Sequence, residues 1–346
     1  MKQIQILMIF LLAISANFIL AKKLTSMTDL IKPFMLRADQ HFIYISDDYG
    51  IKIFSTDTFA LQRKIGKYGE GPGEHLSSPM IQLLPSGRIF IWDINKCILS
   101  EPGGNIVFEK QSQIPIRDLK IIGDNFVMRY HTYTANQYSD EISVLDHNFK
   151  LVKNLYKKKK NPPNDLGKII SNFKLVDNIV TIVCYDDKIF LARGEEGFYY
   201  EIFDSNGNKL SSVNKPYKKL SISKEDKEIL IEQFKQRSWM KSHWTTFNKY
   251  LKNYDSLFPE YYPAMQDFFV IDGNVYVKTY NRKNELEEYV ILDLKGNIQT
   301  EVFLPKASYN LFTFTNERCY YLVDNEDEEK WELYSEEVKL QAHCIN

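Results

Sequence analysis

The stretch Ile271-Asp-Gly-Asn-Val-Tyr-Val-Lys-Thr-Tyr280 joins an apolar residue, a tight polar turn and an alternating strand. Gly and Asn tolerate the positive φ that a short hairpin turn needs, and Val and Tyr favour a pleated strand. The same pattern recurs as Arg37-Ala-Asp-Gln-His-Phe-Ile-Tyr-Ile-Ser-Asp47, Leu84-Pro-Ser-Gly-Arg-Ile-Phe-Ile-Trp-Asp93 and Ile122-Gly-Asp-Asn-Phe-Val-Met-Arg-Tyr130. It returns as Leu175-Val-Asp-Asn-Ile-Val-Thr-Ile-Val-Cys184 and Thr315-Asn-Glu-Arg-Cys-Tyr-Tyr-Leu-Val-Asp324, which makes six copies. A recurring unit has to be recognised before any single motif is weighed, because it fixes the architecture.

A second hairpin signal follows most copies, clearest in Tyr200-Glu-Ile-Phe-Asp-Ser-Asn-Gly-Asn-Lys-Leu210 and Tyr289-Val-Ile-Leu-Asp-Leu-Lys-Gly-Asn-Ile298. Two hairpins give four strands per unit, and a period of roughly 40–50 residues is that of a β-propeller blade. One blade cannot bury both its faces, so the units must stack and close into a ring. The spacing therefore predicts an all-β, six-bladed β-propeller of four-stranded antiparallel blades, with blades at 33–66, 80–113, 116–157, 171–213, 264–304 and 307–342. The long interval after the fourth copy has a different period. Met240, Trp244, Phe247, Leu251, Tyr254 and Phe258 recur at helical steps, Ser223-Lys-Glu-Asp226 is a capping start, and Pro259 and Pro263 end the run. A helical insertion is expected over 221–258 between blades 4 and 5, as two helices broken near Ser238 to Ser242, with its Trp and Phe face turned onto the propeller.

The 346 residues carry 44 Lys+Arg against 45 Asp+Glu, so no global basic field exists to drive nucleic-acid binding. A hydrophobic fraction of 44% excludes a disordered chain, and a mean hydropathy of -0.35 excludes a multi-span membrane protein. At the N-terminus, Lys2 precedes an apolar run from Ile6 to Ala16 that continues through Phe18 to Ala21, before Lys22 and Lys23. These are the parts of a secretory signal peptide over 1–21, cleaved after Ala16 or Ala21; the alternative is an uncleaved anchor. With Cys97 the first cysteine, no lipoprotein site follows the run, and the remaining 22–346 is expected to be periplasmic or secreted, without stable membrane insertion and as a monomer. Of the four cysteines, Cys97 and Cys184 read as buried apolar residues, and Cys319 and Cys344 could staple the C-terminal tail in an oxidising compartment.

Between blades 1 and 2 lies Ile65-Gly-Lys-Tyr-Gly-Glu-Gly-Pro-Gly-Glu-His75, followed by Ser78-Pro79. This loop resembles the glycine-rich signature of NHL-repeat-like six-bladed β-propellers, in particular the exported "6-bladed β-propeller" proteins of Bacteroidota and related bacteria. Phe258-Pro-Glu-Tyr-Tyr-Pro263, leading into Asp272-Gly-Asn274, is similar to the same group. The resemblance implies the fold over nearly all of the mature chain, and functions that range from protein or peptide binding to lyase and lactonase chemistry. Gly69, Gly71 and Gly73 are not followed by the Lys-Ser/Thr of a phosphate loop, and read as the hinge of a sharp inter-blade turn.

Aligning the copies on their turns puts Asp118, Ser171 and Asp267 in one column with Met80 and Leu311, on the innermost strands that line a propeller's channel. Two carboxylates there could take Ca²⁺ through oxygen ligands, or raise one another's pKa; the alternative is that they cap turns or pair with Arg37, Arg117 or Lys120. Trp239, Trp244, Tyr261 and Tyr262 could form an aromatic shelf for a sugar or peptide, or simply bury the insertion. The six histidines form no metal motif and no nucleophile elbow is present. The leading expectation is thus an exported, non-enzymatic binding scaffold for a protein, peptide or glycan at the rim or channel mouth, with no resident cofactor. The rival is a metal-assisted hydrolase or lyase, lactonase-like, working through Asp118 and Asp267.

Overall fold

In the computed structural model, β1 (Lys22–Met27) does not pair with the strands that follow it: it is the outermost strand of the last sheet. Blade 1 runs from inside to outside as β2 (Pro33–Ala38), β3 (Phe42–Asp47), β4 (Gly50–Ser55) and β5 (Leu61–Ile65). Blade 2 is β6 (Met80–Leu83), β7 (Ile89–Trp92), β8 (Lys96–Ser100) and β9 (Ile106–Gln111); blade 3 is β10 (Asp118–Ile122), β11 (Asn125–Thr134), β12 (Gln137–Leu145) and β13 (Leu151–Lys160). Blade 4 is β14 (Val180–Tyr185), β15 (Lys188–Arg193), β16 (Phe198–Asp204) and β17 (Lys209–Lys215); blade 5 is β18 (Asp267–Ile271), β19 (Asn274–Lys283), β20 (Leu286–Asp293) and β21 (Ile298–Pro305). Blade 6 takes β22 (Phe312–Thr315), β23 (Arg318–Asn325) and β24 (Lys330–Glu337), and β1 completes it antiparallel to β24, with Lys22 opposite Ser335 and Met27 opposite Trp331. The six-bladed β-propeller expected from the sequence is therefore the observed fold. The structure describes residues 22–338, apart from 135–136, 161–169, 171–172, 195–196, 252, 285, 307–309 and 316. The leader over 1–21, Ser171 and Cys344 lie outside the described residues.

The blades hold together because each middle strand buries both of its faces, so alternate side chains enter different cores. On β7, Ile89 and Ile91 pack with Met35, Tyr44 and Ile53 of blade 1, whereas Phe90 and Trp92 pack with Phe126 and Met128 of blade 3. On β3, Tyr44 faces blade 2 while Ile43 and Ile45 join Leu322 and Leu333 of blade 6. One such cluster fills each interface around the ring, and a separate cluster seats the insertion.

Two expectations are corrected. Blade 6 does not draw all its strands from 307–342, because its outer strand comes from the other end of the chain. In blade 4 the turn after the innermost strand is not Asp177-Asn178 but Asp186-Asp187, at φ 48° and 51°, so the blade begins at Val180 rather than near 171. The apolar residues that imitate an innermost strand, Ile170, Phe173, Leu175 and Val176, are buried against the insertion instead.

That insertion is α1 (Lys224–Gln236) and α2 (Ser238–Tyr250), with a short 3-10 turn over Tyr254–Leu257. Ser223 and Asp226 form a reciprocal capping box at its start, and Arg237 at ψ 131° breaks the helices beside the expected point. Phe234, Met240 and Phe247 face Ile170 and Val176. The segment leaves from the end of β17 and returns to the start of β18, so it lies over blades 4 and 5 on the face where the innermost strands begin. Among the described residues no helix is long and apolar enough to cross a membrane.

Candidate functional site

All six innermost strands start at the same face, and there the axis opens into a funnel of about 620 Å³. Phe34, Met80, Asp118, Val180, Asp267 and Asn310 supply one lining residue from each blade or its entry. Asp118, Asp267 and Met80 are thus brought together as the repeat alignment expects. Leu311 is not: it is buried in the core between blades 6 and 1, and Asn310 takes the lining position. With blade 4 beginning at Val180, its wall is made by Val180 and Thr181 in place of Ser171.

Most charges in the funnel are already matched. Asp118 accepts from Lys120 Nζ at 2.6 Å, and that ammonium lies 4.3 Å from the centre of the Trp92 ring. Arg129 is held by Asp140 through Nε at 3.1 Å and Nη2 at 2.6 Å, while its Nη1 donates to the Val180 carbonyl at 2.6 Å. Such a fork ties blade 3 to blade 4 and fixes the guanidinium plane. Arg117 is different: it is exposed at the mouth, and its guanidinium makes no hydrogen bond or ion pair with the described residues. Two polar atoms of funnel residues, Trp92 Nε1 and Gln266 Oε1, are buried without a hydrogen-bond partner among the described residues. No group of three or more His, Cys, Asp or Glu converges as a metal cage among the described residues. Asp118 and Asp267 are the carboxylates that could contribute to one.

Burial pushes the Asp267 carboxyl up to about 6, and the Phe268 N–H, Lys278 and Arg37 offset this only in part. The folded carboxyl binds its proton more tightly than the ordinary value of 3.8 allows, so its stabilisation is complete below about pH 4 and is lost as pH rises through about 6. Asp267→Asn is accordingly expected to raise stability at pH 8 by about 1–3 kcal/mol and to change little at pH 4. Denaturant midpoints at the two pH values check this; an equal shift at both would rule it out.

The funnel face is shaped by carboxylates at the ends of the second strands. Asp93 accepts from Leu76 N at 3.2 Å, Asn95 N at 3.2 Å and Lys96 N at 3.0 Å, and faces His75 Nδ1 at 3.6 Å. Burial raises its proton affinity, but His75 and the Asn95 and Leu76 amides outweigh that and hold the carboxyl below its usual range. Asp47 holds the equivalent position in blade 1, accepting from Ile31 N at 3.0 Å, from Lys32 N and from the buried Lys52 ammonium. Sequence reading passed over both residues, although each is the last residue of its repeat copy. Arg117 was noted only as a partner for a carboxylate.

The glycine loop clasps blade 1 to blade 2. Gly69 and Gly73 sit at φ 150° and 73°, conformations that side chains resist, and Gly73 N donates to Glu109 Oε2 at 2.7 Å. Gly71 donates to Glu74 at 2.8 Å and accepts from Lys96 Nζ at 3.1 Å. Of the aromatic residues expected at the rim, Trp244 and Tyr262 pack against the insertion core, with Tyr262 stacked on Tyr280 at 4.5 Å. Tyr261 lies under the Lys219 ammonium at 5.3 Å, and the Trp239 side chain falls outside the described residues. Cys97 is fully buried and Cys319 nearly so.

No protein-family model matches the chain, and no curated protein matches it. Among solved structures it is similar to a protein of unknown function from Bacteroides caccae, at 12% identity over 81% of this chain and 82% of that one, with a TM-score of 0.35. It is also similar to the AfRom2 CNH domain, at 9% identity over 92% and 98% with a TM-score of 0.39, and to BamB from Moraxella catarrhalis, at 8% over 91% and 99% with a TM-score of 0.34. Likeness at this level carries no function across. The class rests on the six sheets themselves: a six-bladed β-propeller with a helical pair inserted between blades 4 and 5.

Proposed function

We propose that the chain is an exported binding scaffold that takes a protein or peptide segment at the mouth of the funnel. The observation that carries this is the placement of its exposed apolar side chains. Ile31 (71% exposed), Phe34, Leu76, Ile94 (55%), Ile114 and Tyr133 (63%) all sit in loops or strand ends on the funnel face of blades 1 to 3. The insertion covers that face over blades 4 and 5. Other exposed apolar side chains, such as Leu151 and Leu210, lie on outer strands, but a group of them gathered beside a funnel marks an interaction site. The Asp47 and Asp93 carboxylates fix the backbone of that arc, so the surface is held in shape before anything binds. The sequence supports export through its leader, and near-neutral net charge argues against a nucleic-acid partner.

The test is selection of peptides from a display library on the mature protein, followed by affinity measurement on Phe34→Glu and Ile94→Glu. Both side chains are exposed, so the fold is expected to persist. Selected peptides should bind each variant about 10-fold or more weakly, the usual effect of a hot-spot loss. Undiminished binding would move the site elsewhere. Stoichiometric Ca²⁺ whose stabilisation of the protein is lost in Asp118→Ala would instead favour the metal-assisted hydrolase reading.

A further inference from the structure

Resting on that docking reading, we infer that the funnel receives the C-terminal end of a peptide chain, with Arg117 taking its terminal carboxylate and Phe34, Ile94 and Ile116 taking its last apolar side chain.

The argument starts from charge. Arg129 is spent on Asp140 and the Val180 carbonyl, and Lys120 is spent on Asp118. Lys278, buried and opposite Asp267 in the strand register, is paired with Glu287 at 2.5 Å. Arg117 is left with its guanidinium without a hydrogen bond or ion pair among the described residues, at the mouth beside Asp118 and Ile116 on the entry to β10. A planar guanidinium with no partner among the described residues is matched best by a carboxylate, which it can grip in two parallel hydrogen bonds. Apolar side chains line the same cavity: Phe34 and Ile94 are exposed, and Ile116, the residue before Arg117, is mostly buried.

The wall also keeps hydrogen-bonding capacity of both kinds. Trp92, 1% exposed, has a ring N–H without an acceptor, and Gln266 has an amide oxygen without a donor among the described residues. A peptide backbone offers both a carbonyl and an N–H, whereas a free fatty acid or inorganic anion does not.

Shape favours a chain end over an internal acidic side chain. At about 620 Å³ the funnel is the size of sites that bind small molecules or a few residues. Arg117 is exposed at the mouth and an internal Asp or Glu reaches it too, but to fill the funnel beneath, an internal segment has to enter as a loop, and a loop brings two chain passes about 4.8 Å apart, each with side chains on both sides. A terminus brings one pass and delivers its charge at the leading point.

The experiment uses acetylated hexapeptides ending in Leu, Val or Phe, each made with a free C-terminal carboxylate and with a C-terminal amide. A third set carries an internal Glu and an amidated end. Binding to the mature protein is followed by fluorescence anisotropy at fixed ionic strength, and melting curves confirm that each variant is folded. The free acids should bind about 10-fold or more tightly than the amides, as expected for a charge-assisted contact. Arg117→Gln should erase that difference by weakening the free acids far more than the amides, and Arg117→Lys should restore part of it. Equal binding of acids and amides, or discrimination that survives Arg117→Gln, overturns the inference. So does preference for the internal-Glu set. If amidated or internal sequences bind and still lose affinity with Phe34→Glu and Ile94→Glu, the docking reading stands and only the terminal-carboxylate inference fails. If the hexapeptides bind but ignore all three positions, both fail.

Discussion

Asp47→Ala loses about 3–5 kcal/mol of folding stability, the range seen when one partner of a buried ion pair is removed. Asp47 and Lys52 are 2% and 8% exposed, and the Lys52 ammonium is held between the Asp47 carboxylate and the Asp29 carbonyl. Without the carboxylate, Lys52 remains buried with a single neutral acceptor, and the amides of Ile31 and Lys32 lose theirs as well. Guanidinium unfolding of the wild type and the variant measures the loss. The double variant Asp47→Ala/Lys52→Met should recover most of it, because the stranded charge, rather than the missing attraction, dominates. A single variant within about 1 kcal/mol of wild type would show that the pair is an ordinary surface bridge. The same substitution should weaken ligand binding, since Asp47 positions Ile31 and the entry to Phe34.

That coupling explains which parts of the site could be read in the sequence. The innermost column was legible because Asp118 and Asp267 stand one strand length before polar turns, Gly123-Asp124 and Asp272-Gly273, that define their own hairpins. The apolar arc was not, because Ile31, Leu76, Ile94 and Ile114 sit in loops with no periodicity; Asp47 and Asp93 hold the Ile31 and Leu76 backbones, and the bonds from Ser112 N to Asn95 O and from Ile116 N to Ile94 O tie the Ile94 and Ile114 loops together. Both aspartates end a repeat copy, which was a usable signal. Arg117 could be recognised as unmatched only once Arg129 and Lys120 were seen to be occupied.

Blade 4 shows how a repeat can mislead. Leu175-Val-Asp-Asn-Ile has the apolar-turn-apolar form of the other copies, yet Leu175 and Val176 serve the core beneath α1 and α2. An insertion needs a buried surface on the body that carries it, and a short apolar run in front of a polar pair meets that need as well as it would meet an innermost strand. The true turn, Asp186-Asp187, has no glycine and so gave a weaker signal, although aspartate tolerates a left-handed backbone better than most side chains. The strand of blade 2 was readable because burial on both faces leaves no polar residue within it, in Ile89-Phe-Ile-Trp92.

Removing Lys22–Met27 should lower the melting temperature by about 10 °C, which corresponds to about 5 kcal/mol in a chain of this size. The strand leaves a ladder along β24, and Met27, 2% exposed, leaves the core between blades 6 and 1, where it packs with Leu30, Leu36 and Leu322. Burial of a methionine side chain contributes about 1.5–3 kcal/mol, and each ladder hydrogen bond about 0.5–1.5 kcal/mol net. The Lys23 contact to Glu332 adds little, because the lysine is exposed. Loss of β1 also bares the β24 edge, with its unpaired backbone groups, so the truncated protein should self-associate. A synthetic peptide of residues 22–27 added in trans should restore the melting temperature and suppress association by pairing with that edge. Truncated protein that melts within about 3 °C of the full chain would mean that the ring closes without its first strand. Both cleavage points expected for the leader, after Ala16 and after Ala21, leave β1 whole. A cut even a few residues further on would remove the residues that close the ring, so the strand itself sets how far the mature chain can be trimmed.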